Sequence, residues 1–271
     1  LMCALLPGLR DKTLMTHIVI FEGNSPARVA RGLGAAEAFK CVFKAFDPSV
    51  TCVVKSPFEQ LIGPEDFDGA DGVVFTGSGE DWRVDDPQVA CQRQAMTLAL
   101  NAGHPIWGSC NGMQLAALQL GGECWASPNG VEVGLARDIK LTSAGAAHPM
   151  MSGRRSGFCV PCIHRDEVKT LPRGAVLLAG NAHSPVQAFC CEQDGVDVWA
   201  AQYHPELRPQ EIADCLRAHG GQEQDSLLTR DLDAAEQDAL AAARLGGSPK
   251  DLEVTSRARE IGNWLDHVKA Q

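Results

Sequence analysis

The chain has 271 residues, 45% of them hydrophobic and 21% charged, and a formal charge of −10. That length suits one large domain or a domain with an appendage, and the negative charge argues against nucleic acid or an anionic membrane as the main partner. No apolar run approaches the ~20 residues that span a bilayer, and the 11 irregularly spaced cysteines fit a reducing cytoplasm better than a secreted disulfide scaffold.

Residues 1–16 read as a leader, disordered or extraneous to the natural start. Their apolar piece, Cys3-Ala4-Leu5-Leu6, is cut by Pro7 and is too short for a signal-peptide core, and Met15 immediately precedes the first good strand. His17-Ile18-Val19-Ile20-Phe21 is that strand, buried along its length. Glu22 to Pro26 form a turn, with Ser25 and Pro26 suited to open a helix predicted over 27–39. Strands are predicted over 50–54 and 72–75, the latter closed by the glycine loop Thr76-Gly77-Ser78-Gly79. A helix over 87–100 leads to a short strand, Pro105-Ile106-Trp107, and then to a helix over 113–120. Strands alternating with helices at this spacing imply a parallel sheet covered on both faces, with functional loops at the carboxyl ends of its strands.

The middle of the chain changes character. Short strand candidates at 131–141, 157–163, 175–178, 185–189 and 196–200 predict a partly antiparallel extension of the sheet. This run ends at Ala201-Gln202-Tyr203-His204-Pro205-Glu206. Helix returns after Arg208, with Pro209 in its first turn, and the composition from Gln222 is polar and Ala-rich. Ser248-Pro249-Lys250-Asp251 reads as a capping box. Val254, Ala258, Ile261, Leu265 and Val268 then mark one apolar helical face, expected to dock on the domain. The organisation predicted is a leader (1–16), a main domain (17–208) and a helical C-terminal extension (209–271).

Gly108-Ser109-Cys110-Asn111-Gly112, set between a strand and a helix, matches a nucleophile elbow in its cysteine form. Glycine on both sides permits a strained turn and close packing, and a thiol at a helix N-terminus is favoured as the thiolate. The competing interpretation is a buried structural cysteine in a tight turn. A nucleophilic cysteine needs a base and a group to orient it. His204 stands beyond a strand end, Pro205 stops the strand, and Glu206 can accept from the second imidazole nitrogen. The N–H of Asn111 is the expected first oxyanion donor. The second is expected from Gly77, Ser78 or Gly79, with Gly79 the candidate carried forward. Cys159-Val160-Pro161-Cys162 has the gap of half a zinc site but lacks a second pair. Cys190-Cys191 reads as half-buried and inert, and Trp82 is placed to wall the site or simply to pack.

Gly-Ser-Cys-Asn-Gly-Met-Gln, the Thr-Gly-Ser-Gly loop and Gln-Tyr-His-Pro-Glu together resemble the class I, triad-type glutamine amidotransferases, most of all the amidotransferase domain of GMP synthetase. The likeness runs over about 17–208, through His164-Arg165-Asp166-Glu167-Val168 and His183-Ser184-Pro185-Val186-Gln187. It implies a flavodoxin-like α/β fold, a three-layer sandwich around a mostly parallel sheet, here with the helical extension added. It implies Cys110, His204 and Glu206 as the triad, with Gly77, Ser78 and Gln114 holding the glutamine side and Arg165-Asp166 meeting the substrate's α-amino end. The implied reaction is hydrolysis of a γ-glutamyl amide through a γ-glutamyl thioester, with no metal or organic cofactor. The chain has no room for an ATP-binding synthetase. Two enzyme readings follow: a stand-alone hydrolase of glutamine or N-substituted γ-glutamyl amides, and a glutaminase component feeding ammonia to a separate synthetase or ligase. A catalytically inactive regulatory or scaffold domain is the third possibility, disfavoured by the intact triad.

Overall fold

Ile18 and Ile20 face one side of the first strand and Val19 and Phe21 the other, and all four are buried. A strand apolar on both faces must lie inside a covered sheet, and the computed structural model, which describes residues 15–220 and 226–271, places it there. The expectation for residues 1–14 of the leader lies outside the described residues. In chain order the strands are β1 (His17–Phe21), β2 (Thr51–Lys55), β3 (Gly72–Phe75), β4 (Ile106–Ser109), β5 (Glu123–Ala126), β6 (Glu132–Leu141), β7 (Phe158–His164), β8 (Asp166–Thr170), β9 (Val176–Gly180), β10 (Ala188–Gln193) and β11 (Val196–Ala201). The main sheet runs β2-β1-β3-β4-β11-β10-β9-β6-β7. Its first five strands are parallel; from β11 onward every pairing is antiparallel. The predicted parallel sheet and antiparallel extension are therefore one continuous surface.

The helices are α1 (Pro26–Val29), α2 (Ala36–Phe46), α3 (Ala90–Ala102), α4 (Asn111–Gln119), α5 (Ser143–Ala147), α6 (Pro209–His219), α7 (Leu227–Ala234), α8 (Ala239–Leu245), α9 (Pro249–Leu252), α10 (Val254–Arg257) and α11 (Arg259–Ala270). On one face of the sheet, α2 and α11 bury Phe39, Phe43, Trp264 and Leu265 against Ile18, Ile20, Val74, Trp107 and Trp199. On the other, α3 and α4 bury Met96, Met113 and Leu115 against Phe21, Val73, Phe75 and Ile106. A third cluster joins Leu135 and Cys159 to Ile212, Leu232, Leu245 and Leu252, so α6 to α9 dock on the antiparallel end. Among the described residues no helix is long and apolar enough to cross a membrane.

Several expectations need correction. The helix predicted over 27–39 is two helices. Gly32 takes φ 77, and the buried Glu22 carboxylate accepts from the N–H groups of Ala35 (2.8 Å) and Ala36 (2.9 Å), which starts α2 afresh and extends it to Phe46. A carboxylate there satisfies both the orphan donors and the dipole of a helix N-terminus. The strand predicted over 185–189 begins only at Ala188, because Pro185 has no N–H to give and the N–H of Asn181 closes a turn on Ser184 O (3.0 Å). That shift carries Cys190 and Cys191 into the ladder, where both are buried rather than half-buried. β5 and β8, which pair as a separate two-stranded ribbon, were not anticipated. The apolar face at 254–268 is buried as expected but is divided between α10 and α11.

Candidate active site

β4 ends at Ser109, α4 begins at Asn111, and Cys110 between them sits at φ 49, ψ −105. Left-handed backbone at a non-glycine residue is strained and persists only where its surroundings enforce it. Here they do. The Cys110 N–H donates to Ala201 O at 2.8 Å, tying the elbow to the end of β11. A side chain on Gly112 would collide with Phe75 O, and one on Gly108 would come within 2.8 Å of the Gly112 carbonyl. Strand, turn and helix approach so closely that only glycine fits at both places.

β11 lies beside β4 in parallel register, with Ala201 opposite Ser109, so the residues following both strands emerge at the same edge. The N–H of His204 donates to Pro161 O (2.7 Å), and its Nδ1–H donates to Glu206 Oε1 (2.7 Å). With Nδ1 committed to Glu206, Nε2 is left for other partners; the Cys110 sulfur lies near enough to the ring to act on its charge and donates to Ile163 O at 3.7 Å. Burial disfavours the ring's charge, but the Glu206 carboxylate and the Cys110 sulfur outweigh that penalty and hold the imidazole well above its ordinary 6.5. The other carboxylate oxygen of Glu206 accepts from Ser109 Oγ (3.0 Å), and Ser109 Oγ accepts from Trp107 Nε1–H (2.9 Å). An unbroken line of hydrogen bonds thus runs Trp107, Ser109, Glu206, His204. Cys110 and His204 are each 5% exposed, so both are buried.

The glycine loop after β3 packs on the histidine. A methyl on Gly77 would lie 2.5 Å from His204 Cε1. The expected role of Gly79 is corrected: its N–H is already donated to Asn24 Oδ1 (2.8 Å), and its α-carbon is covered by the Arg28 guanidinium. Among the described residues, no acceptor meets the N–H of Asn111, Gly77 or Ser78. Those three are therefore the donors free to serve an oxyanion.

Gln114 donates through Nε2 to Asp166 O (2.8 Å) and to Gln202 Oε1 (3.1 Å), linking α4 to the start of β8. The Arg165 side chain pairs with the Asp166 carboxylate (3.0 Å) and donates to Asp81 O (3.2 Å), so this segment closes on the residues after the glycine loop. Trp82 packs on Phe58, with ring centroids 5.1 Å apart. Cys110, His204 and Glu206 thus come together with Gly77 against the ring, while Gln114, Arg165 and Asp166 form a connected set. Two buried polar atoms at the site, Asn111 Oδ1 and Gln202 Nε2, have no protein partner.

Cys159 and Cys162 do not form a pair of ligands, since they point into different cores of the molecule. Burial pushes the Cys159 thiol up to about 11 and the Cys190 thiol up to about 12, the behaviour of inert cysteines. Among the described residues, atoms able to ligate a metal approach within 4.8 Å in Glu132, His164 and His183, in His148, Cys190 and Glu192, and in Glu192, Asp197 and His267. In the first group the Glu132 carboxylate is engaged by His164 Nε2 (2.8 Å), Gln187 Nε2 (2.7 Å) and Asn181 Nδ2 (2.7 Å). Ser109, Asn24, Arg28 and Gln202 escaped the sequence reading. Ser109 carried a usable signal, since it shares a strand face with Trp107 immediately before Cys110; the others become neighbours only through folding.

The class-I glutamine amidotransferase family model matches residues 44–217, and the chain belongs to that family. It is 30% identical over 276 residues to the gamma-glutamyl-L-1-hydroxyisopropylamide hydrolase of a Pseudomonas species, covering 93% of this chain and 92% of that protein. It is 29% identical over 157 residues to the glutamine-hydrolysing GMP synthase of Porphyromonas gingivalis, which spans 56% of this chain but 27% of the synthase. Among solved structures, a glutamine amidotransferase from Thermotoga maritima superposes with a TM-score of 0.66 at 15% identity, covering 95% of this chain and all of that one. A second, from Methylobacillus flagellatus, gives 0.58 at 20% identity, covering 95% and 94%.

Proposed function

We propose that this protein is a stand-alone cysteine hydrolase that cleaves the γ-glutamyl amide bond of an N-substituted γ-glutamyl amide, with Cys110, His204 and Glu206 as its triad. The observation that carries the reading is Cys110, held in left-handed backbone between β4 and α4 against an imidazole that Glu206 orients at 2.7 Å. The stand-alone character is supported by likeness to a γ-glutamyl amide hydrolase over nearly the full length of both chains. The likeness to GMP synthase stops at about a quarter of that protein.

In the proposed reaction the Cys110 thiolate attacks the γ-carbonyl carbon, and the carbonyl oxygen becomes an oxyanion. The Asn111 N–H, at the head of α4, and an N–H of Gly77 or Ser78 meet that charge. His204 gives its Nε2 proton to the nitrogen as the C–N bond breaks, so the amine leaves neutral and a γ-glutamyl thioester remains. The same imidazole then takes a proton from water, which attacks the thioester and releases glutamate and the thiol. Gln114, Arg165 and Asp166 frame the glutamyl end. The reaction involves a soluble small substrate and a reducing compartment.

Purified protein incubated without any partner should release amine from bulky γ-glutamyl amides at least as fast as ammonia from glutamine. Cys110→Ala should abolish turnover without altering the circular dichroism spectrum. Feeble activity confined to glutamine, rising when a synthetase is added, would establish the alternative role of ammonia donor. An active Cys110→Ala variant would place the nucleophile elsewhere.

A further inference from the structure

His204 lies between two anchors supplied by the C-terminal helices. On its N-terminal side, the hydroxyl of Tyr203 donates to Glu260 Oε1 (2.9 Å) in α11. Glu260 is fully buried and is gripped by both arms of Arg154, Nε to Oε1 and Nη2 to Oε2, each at 2.8 Å. On its C-terminal side, Arg257 of α10 donates through Nε to Leu207 O (3.0 Å) and through Nη2 to Glu206 O (3.4 Å). The circuit closes because Arg154 Nη2 also donates to Arg257 O at 2.8 Å. Every polar link in it is buried or nearly so.

We propose that these helices are a working part of the catalytic centre, with Arg257 as a positioning residue for the Glu206–His204 pair. The turn that lets Glu206 reach back to the histidine two residues before it is closed by one main-chain bond, Leu207 N–H to His204 O at 3.2 Å. Arg257 adds two donors to the outward carbonyls of that same turn, and its rigid planar fork fixes both at once. It does so at a cost: burial depresses its guanidinium below the ordinary arginine value despite nearby carboxylates, Glu211 foremost. A buried cation whose donors go to the carbonyls flanking a catalytic carboxylate fits a role in orientation better than one in simple docking. α11 already docks by its apolar face, through Ile261, Trp264 and Leu265.

The proposal rests on the triad assigned above but not on the identity of the substrate, so its test is read at the thiol. Alkylation of Cys110 by iodoacetamide is followed against pH in the full-length protein, beside kcat and KM for a γ-glutamyl amide. In Arg257→Met the alkylation rate at pH 6 should fall by on the order of tenfold or more, and the profile's midpoint should move upward, since a misplaced carboxylate supports the imidazolium less well. kcat should fall in parallel while KM changes by less than about twofold, the mark of an interaction that acts on chemistry rather than on substrate binding. Arg257→Lys, which keeps the charge but has no fork, should fall between the two and guards against a methionine variant that fails to fold. A folded variant of either kind with the wild-type alkylation profile overturns the proposal. If the wild type turns over no γ-glutamyl amide while the variants still shift the profile, the positioning role stands and the substrate assignment falls.

Discussion

Glu206 carries the charge on which the proposed chemistry turns. Its carboxylate opposes the burial penalty on His204, so the imidazolium survives well above pH 6.5. The sign follows directly: a histidine whose folded value is raised keeps its proton, and the pairing it supports, until pH climbs through that raised value. Glu206→Gln removes the charge but keeps a hydrogen-bond acceptor. Burial is then opposed by the Cys110 sulfur alone, and the alkaline limb of kcat/KM should move to lower pH, a shift measurable with any amide the wild type hydrolyses. An unmoved limb would mean that the ring's proton is held by something other than Glu206. Ser109→Ala tests the same carboxylate from behind. It removes the 3.0 Å bond to Oε2 and strands Trp107 Nε1, so stability should drop by about 1–3 kcal/mol in urea titration, the usual penalty for an unpaired buried group.

At the scale of the element, the decisive object is the β4–α4 elbow and what crowds it. α4 crosses over the end of β3 with no room for a side chain at Gly112, whose methyl would collide with Phe75 O. Gly112→Ala must therefore push helix and strand apart, and overpacking of this kind costs about 1–3 kcal/mol. The loss should appear as a lower thermal midpoint together with lost activity. Gly77→Ala makes the opposite test. Its methyl would press on His204 Cε1 at 2.5 Å, in the loop beyond the end of β3 rather than between a packed helix and strand. Activity should fall by about a hundredfold or more through displacement of the ring, while the thermal midpoint moves far less than in Gly112→Ala. Equal activity in Gly77→Ala and wild type would show that the ring tolerates a new position.

Over the whole molecule, one continuous sheet sets the proposed catalytic residues at the ends of its parallel strands, and the C-terminal helices complete the packing beneath them. Trp264 of α11 is fully buried against Phe43 and Trp107, and Trp107 donates to Ser109 beside Cys110. Trp264→Ala should cost about 3–5 kcal/mol by denaturant unfolding, the range for a large core aromatic. The sequence by itself determined a good deal. Alternating strands and helices, apolar on both faces, can be buried only as a doubly covered sheet. Gly108 to Gly112 can make only a sharp strand-to-helix turn, and His204-Pro205-Glu206 places a carboxylate within reach of its own imidazole because the contact spans two residues. Other features became visible only in the fold. Ser109 and Glu206 are 97 positions apart and meet because β4 and β11 are parallel neighbours. The Gly79 N–H is spent on Asn24, 55 positions away, and Glu206 O is held by Arg257, 51 positions further on. The break at Gly32 and the division of the last apolar face into α10 and α11 belong to the same class. Periodicity and short motifs record what a residue does with its chain neighbours. Which N–H is left free for chemistry, and which buried carbonyl needs a donor, depends on partners that only tertiary packing brings within 3 Å or so.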